Sequence, residues 1–121
     1  MAKTILIVED NALNMKLFGD LLEAKGYATL RAAEGNDALA IASRERPDLV
    51  LMDIQLPGMS GMEVTRRLKS DPALRDIPVV AVTAFALRSD EARIMESGCA
   101  AYMAKPVSID RLLAMVERHA A

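Results

Sequence analysis

Short apolar runs in this chain repeatedly give way to residues capable of chemistry. Glu9 and Asp10 follow Thr4–Val8, Asp53 closes Leu49–Asp53, Thr83 closes Val79–Thr83, and Lys105 follows Ala101–Ala104. Any one of them alone is a common residue where a strand leaves the core for solvent; together they stand at equivalent ends of successive runs. If those runs are parallel strands, their carboxyl ends form one rim, the place where open parallel sheets bind ligands. Three carboxylates crowded into a half-buried cleft repel one another unless a cation compensates, and an all-oxygen donor set favours a hard ion such as Mg²⁺. Mg²⁺ keeps several waters, so Asp10, Asp53 and one backbone carbonyl just beyond Asp53 suffice as protein ligands, with Glu9 able to act through water. A lysine opposite that metal attracts a dianionic phosphoryl group, and Thr83 offers it a hydroxyl hydrogen bond. Asp53 is then a candidate nucleophile, one carboxylate oxygen on the metal and the other attacking phosphorus to give an acyl phosphate.

The elements needed to bring these residues together are legible in the hydrophobic pattern. Thr4–Val8, Ala28–Ala32, Leu49–Asp53, Val79–Thr83 and Ala101–Ala104 read as five strands, each followed by an amphipathic helical stretch. The first helix spans about residues 12 to 25, with Met15, Phe18, Leu21 and Leu22 at helical spacing and Gly26 placed for a left-handed cap. The second spans about 36 to 46 and stops before Pro47, which cannot continue the hydrogen-bond ladder. The third opens on Ser60 with Glu63 three residues later, a capping-box spacing, and ends at Ser70-Asp71-Pro72. The fourth spans about 88 to 97 before Gly98, and the fifth starts at Ser108, carrying Leu112, Leu113 and Val116. The first, third and fourth strands are continuously apolar, as in parallel strands covered on both faces, so the second and fifth belong at the edges. Right-handed crossovers then give an α/β fold, (βα)₅, with an open five-stranded parallel sheet and helices on both sides.

Composition narrows the function classes. The 121 residues are 52% hydrophobic and only 3% aromatic, so aliphatic residues and eight methionines must pack one core, and disorder is excluded. Fifteen basic against seventeen acidic residues argue against direct DNA binding. One cysteine, Cys99, and no zinc-type spacing point to a reducing compartment, and no export signal or membrane-length segment is visible; a soluble cytoplasmic protein is expected. Cys99 reads as a small buried residue, and His119 near a helix end is a poor candidate for phosphate relay.

The motifs Val8-Glu9-Asp10, Leu51-Met52-Asp53, Leu56-Pro57-Gly58-Met59-Ser60-Gly61, Val82-Thr83-Ala84 and Lys105-Pro106 resemble those of bacterial response-regulator receiver domains, and the likeness covers the whole chain. Residues 14–18, 52–57 and 81–86 are most similar to stand-alone members acting in bacterial cell division and polarity. The resemblance implies the flavodoxin-like, doubly wound strand order 2-1-3-4-5 and a single receiver domain over residues 1–121 with no effector domain. It implies a signalling phosphoacceptor rather than an enzyme, one that assists its own phosphorylation and dephosphorylation. Asp53 takes the phosphoryl group from a histidine kinase; Glu9, Asp10, Asp53 and the Gln55 backbone carbonyl organise Mg²⁺; Thr83 is the switch hydroxyl; Lys105 contacts the phosphoryl group. The Lys105–Pro106 bond is expected cis, and Tyr102 is the aromatic that rotates inward when Thr83 moves. Gln55 and Phe85, two residues beyond the acceptor and the threonine, tune dephosphorylation, Phe85 by excluding water so that the phosphoryl group persists.

Partners follow from the same resemblance: a histidine kinase or phosphatase near Asn11, Asn14 and Met15 of the first helix, and a downstream protein on the face of the fourth helix, fifth strand and fifth helix. Phe18 reads as core. A monomer or weak dimer is expected, recruited to a cell pole by membrane kinases. Two rival readings are disfavoured by particular residues. A Mg²⁺-dependent phosphatase of the haloacid-dehalogenase type needs a second Asp where this chain has Gln55, and a nucleotide-binding turn needs glycine where it has Glu9-Asp10-Asn11. A phosphorelay role, passing phosphate on to a histidine phosphotransfer protein, stays open beside the terminal-regulator reading.

Overall fold

The computed structural model of the chain describes residues 2–84 and 88–120, leaving aside the side chains of Arg88 and Ser89. Strands and helices alternate throughout: β1 Thr4–Val8, α1 Ala12–Ala24, β2 Ala28–Ala32, α2 Gly35–Glu45, β3 Leu49–Asp53, α3 Gly61–Ser70, β4 Val79–Thr83, α4 Arg88–Glu96, β5 Ala101–Ala104 and α5 Ile109–His119. The strands form one parallel sheet in the order β2-β1-β3-β4-β5, in the flavodoxin-like manner.

Side chains alternate across each strand, and the two sets build two separate cores. Leu6, Val8, Val50, Met52, Val79 and Ala81 face one side, where Ala38 and Ala42 of α2, Val64 and Leu68 of α3 and Ile94 of α4 cover them. Ile5, Ile7, Leu49, Leu51, Val80 and Val82 face the other, against Phe18 and Leu22 of α1 and Leu112 and Val116 of α5. Being covered on both sides is what makes β1, β3 and β4 read as unbroken apolar runs. Edge strand β2 is buried only at Ala32, and β5 only at Met103.

Local signals set the helix ends. Asn11, Ser60 and Ser108 each accept a backbone amide three residues on, from Asn14 at 3.0 Å, Glu63 at 3.3 Å and Arg111 at 3.2 Å. The Ser60 cap therefore forms, but the Glu63 carboxylate turns to Arg67 and Arg66. Gly26 adopts φ +92°, the left-handed conformation expected just past α1. The second helix sits one residue earlier than its sequence pattern suggests, because Arg46 leaves the helix at φ 47° ahead of Pro47, which disfavours helical geometry in the residue before it. Methionine is not uniformly interior: Met52 and Met103 are fully buried, whereas Met95 on α4 is 41% exposed. Cys99 is buried beside Ser97 and Thr65, and burial pushes its thiol pKa up, as suits a packing residue. No described helix is long and apolar enough to cross a membrane.

Candidate functional site

The carboxyl ends of β1, β3 and β5 bring the chemistry-bearing residues to one rim. Carboxylate oxygens of Glu9, Asp10 and Asp53 lie within 4.8 Å of one another. Glu9 and Asp53 are 2% and 3% exposed, while Asp10 is exposed. Lys105 Nζ reaches across the sheet to donate to Glu9 Oε2 at 3.3 Å, Glu9 Oε1 at 3.5 Å and Asp53 Oδ2 at 3.3 Å. The Gln55 amide donates to Asp53 Oδ1 at 3.0 Å, and the Asn11 amide to Glu9 Oε1 at 3.3 Å. Thr83 is buried at the end of β4, beside Ala104 in register, and its carbonyl accepts from the Lys105 amide at 2.8 Å. The Lys105–Pro106 peptide is cis.

Three carboxylates face one ammonium, so the cluster is short of positive charge. Burial raises the Glu9 pKa, and the neighbouring Asp53 charge raises it further, against the opposing pull of Lys105. Burial alone would depress the Lys105 ammonium, but the Asp53 and Glu9 charges outweigh it and the net shift is upward. An oxygen-only donor set with excess negative charge suits a hard divalent cation, and the residues present fit Mg²⁺.

The loop beyond Asp53 is closed by backbone contacts. The Ile54 amide donates to the Val82 carbonyl at 3.1 Å and the Gly61 amide to the Ile54 carbonyl at 3.0 Å. A Cβ on Gly61 would overlap the Asp53 carbonyl oxygen and lie 2.8 Å from Ile54 Cα, so only glycine lets α3 approach the end of β3 this closely. Sequence reasoning gave Gly61 no role of its own; the available signal was glycine, a poor helix former, directly after a capping serine.

Known proteins resemble this chain along nearly its whole length. The response regulator receiver domain pattern matches residues 5–117. The chain belongs to the response regulator receiver family. The receiver is 56% identical over 119 residues to the polar-differentiation response regulator DivK of Brucella anthropi, covering 98% of this chain and 97% of the relative, and equally to DivK of Brucella ovis. Its structure is similar to that of a response regulator from Chloroflexus aurantiacus, with TM-score 0.95 and 29% identity over 99% of this chain and 98% of the other. It is also similar to the receiver domain of a Pseudomonas aeruginosa sensor histidine kinase, with TM-score 0.91 and 33% identity over 99% and 98% of the two chains; that structure has a magnesium ion coordinated in its active-site cleft.

The remaining sequence candidates fall in different places on the receiver. Tyr102 is half-buried on β5 at the margin of the core under α2–α4, and Glu91 of α4 beside its hydroxyl raises the phenol pKa. Gln55 is exposed at the rim, while Phe85 lies outside the described residues. Asn11 caps α1, a structural task sufficient to account for its type. Asn14 lines a groove of about 370 Å³ with Leu17, Phe18, Pro106, Val107 and Lys105, the lysine that also pairs with Glu9 and Asp53. Met15 is half-buried against the core under α1 and α5, and Phe18 is core as expected. The exposed apolar residues of α1 are instead Leu13 at 75% and Leu17 at 47%, which the sequence reading did not single out.

Proposed function

We propose that this receiver is a stand-alone phosphoacceptor that takes a phosphoryl group from a histidine kinase onto Asp53 and signals through phosphorylation-dependent protein contacts. The observation that carries this reading is a buried Asp53 whose carboxylate is held by one backbone amide and the Lys105 ammonium, within 4.8 Å reach of two further carboxylates. The Asp53 carboxylate attacks phosphorus, the phosphorus–nitrogen bond of the phosphohistidine donor breaks, and its electron pair leaves on the imidazole nitrogen. Asp10, Asp53 and the Gln55 carbonyl would hold Mg²⁺, with Glu9 close by. When bound, the ion offsets charge on the phosphoryl oxygens. Lys105 is placed to share that charge, and Thr83 at the neighbouring strand end to donate its hydroxyl. Gln55, exposed two residues beyond the acceptor, is placed to meet hydrolytic water, and Phe85 is assigned the exclusion of that water.

The groove beside Asn14, with exposed Leu13 and Leu17, supports docking of the kinase on α1. Output through the α4–β5–α5 face to a downstream protein, in polar differentiation as the Brucella relatives are named, completes the proposal. Intact mass after incubation with acetyl phosphate tests its core: one added phosphate with Mg²⁺ and none with excess EDTA is the expected result, and no addition under either condition overturns it. Tyr102 is the element assigned to transmit the change. Tyr102→Ala is expected to take up phosphate within threefold of the wild-type rate while the amide signals of β5 and α5 lose most of their phosphorylation-induced shift, read by ¹H–¹⁵N NMR. Unaltered shifts would leave Tyr102 with packing alone.

A further inference from the structure

Helix α5 carries its charges in an arrangement that its own chain does not use. Asp110 and Glu117 are seven residues apart, as are Arg111 and Arg118, and all four are exposed. Seven residues make about two turns, so each pair forms a line along the helix; neighbours in sequence stand about 100° apart, so the acidic and basic lines diverge on either side of exposed Ala114. No opposite charge stands three or four residues from any of the four, and none of them makes an ion pair among the described residues, whereas Lys16–Asp20 and Glu63–Arg67 pair within their own helices. The helix dipole favours Asp110 in the first turn and Arg118 in the last, but it opposes Arg111 and Glu117, so helix stability does not account for the pattern. Beside the acidic line, Asp110, Leu113, Ala114 and Glu117 line a groove of about 490 Å³ together with Lys25 and Tyr27; two carboxylates against one ammonium leave it net negative.

We propose that this face seats a second copy of the chain, α5 against α5, with the arginines of each copy entering the acidic groove of the other. The charge pattern selects the geometry. A two-fold axis perpendicular to the helices makes them antiparallel and sets like line against like. A two-fold axis parallel to them makes the helices parallel and sets the acidic line of each copy against the basic line of the other, so that Asp110 meets Arg111 and Glu117 meets Arg118 across the axis, each pair twice. Ala114 lies on the midline, where a small side chain lets helix axes approach to about 8 Å. The arginine stems then cover Leu113, and a guanidinium entering the groove meets the Tyr27 ring. Because α5 runs alongside the sheet, parallel α5 helices leave both carboxylate rims pointing the same way. The pairing stands independently of the phosphoacceptor reading, since none of these residues belongs to the rim.

The test is sedimentation equilibrium of the full chain from micromolar to millimolar concentration, with each variant checked for folding by circular dichroism. Wild type is expected to show a monomer–dimer equilibrium at low ionic strength that weakens at least tenfold in about 0.5 M NaCl, as exposed pairs are screened. Glu117→Arg and Arg118→Glu, each of which sets like charges across the axis, are each expected to weaken self-association at least tenfold. An equimolar mixture of these two variants restores both cross-copy pairs and is expected to associate within threefold of wild type, as is the double variant Glu117→Arg/Arg118→Glu. Wild type that stays monomeric to millimolar concentration at low salt overturns the proposal. So does a dimer indifferent to both reversals, which would join copies through another face, and so do single variants that weaken association while neither their mixture nor the double variant recovers it.

Discussion

Asp53→Asn is expected to abolish phosphoryl uptake and, in the absence of Mg²⁺, to make the receiver more stable. Uptake should fall at least a hundredfold, because an amide oxygen carries no anionic electron pair comparable to that of a carboxylate, and removing a nucleophile leaves only residual routes. Stability moves the other way for an electrostatic reason. Glu9, Asp10 and Asp53 crowd together with one ammonium among them, and the Asp53 charge is the second cause, after burial, of the raised Glu9 pKa. Asparagine has the same shape and keeps an oxygen to accept the Gln55 amide, now at 3.0 Å. Lys105 keeps its contacts to Glu9, so the substitution leaves no orphaned buried cation, the usual cost of removing one partner of a buried pair. Relief of carboxylate repulsion then outweighs the lost Asp53–Lys105 contact, and the variant gains stability. Urea denaturation of metal-free wild type and variant measures it, and the gain should vanish once Mg²⁺ is added. A variant less stable than wild type without metal would mean that the Asp53–Lys105 pair outweighs the repulsion.

Gly61→Ala is expected to damage fold and site together. The added Cβ would meet backbone, the Asp53 carbonyl oxygen and Ile54 Cα, with no flexible side-chain end to yield. Either α3 retreats, losing the Gly61 amide bond to Ile54 and packing at Val64 and Leu68, or the strand end carrying Asp53 moves. Overpacking of this kind costs about 3 kcal/mol or more. A displacement approaching 1 Å at the acceptor costs on the order of a hundredfold in a positioned reaction, so phosphate uptake by the folded fraction should fall at least tenfold. Gly58→Ala is the comparison: Gly58 has φ +74° but nothing within 4 Å of a Cβ, so that substitution costs about 1–2 kcal/mol of backbone strain and leaves uptake near wild type. Denaturation midpoints and acetyl phosphate kinetics read both effects. Equal behaviour of the two variants would show that the approach of α3 does not set the Asp53 position.

Much of this receiver was determined by the linear pattern. Unbroken apolar runs at β1, β3 and β4 placed those strands in the middle, mixed composition placed β2 and β5 at the edges, and Asn, Ser, Gly and Pro marked most helix ends within a residue, because burial period and capping are local properties. The rim residues were legible for the same reason: in a parallel sheet every strand end faces the same way, so residues closing successive strands must meet.

What the sequence could not determine was who touches whom across that rim. Lys105 and Glu9 are 96 positions apart, and their contact depends on sheet order and side-chain reach, which no local spacing encodes. Gly61 carried its constraint invisibly, since the atoms excluding a side chain belong to a strand end brought close only by folding. The α1 surface divided differently from its pattern, with Asn11 spent on the cap, Met15 turned partly into the core, and Leu13 and Leu17 left outside. Helical periodicity names a face, but only packing of α1 against the sheet and α5 decides where that face ends, because burial depends on what the neighbouring elements cover.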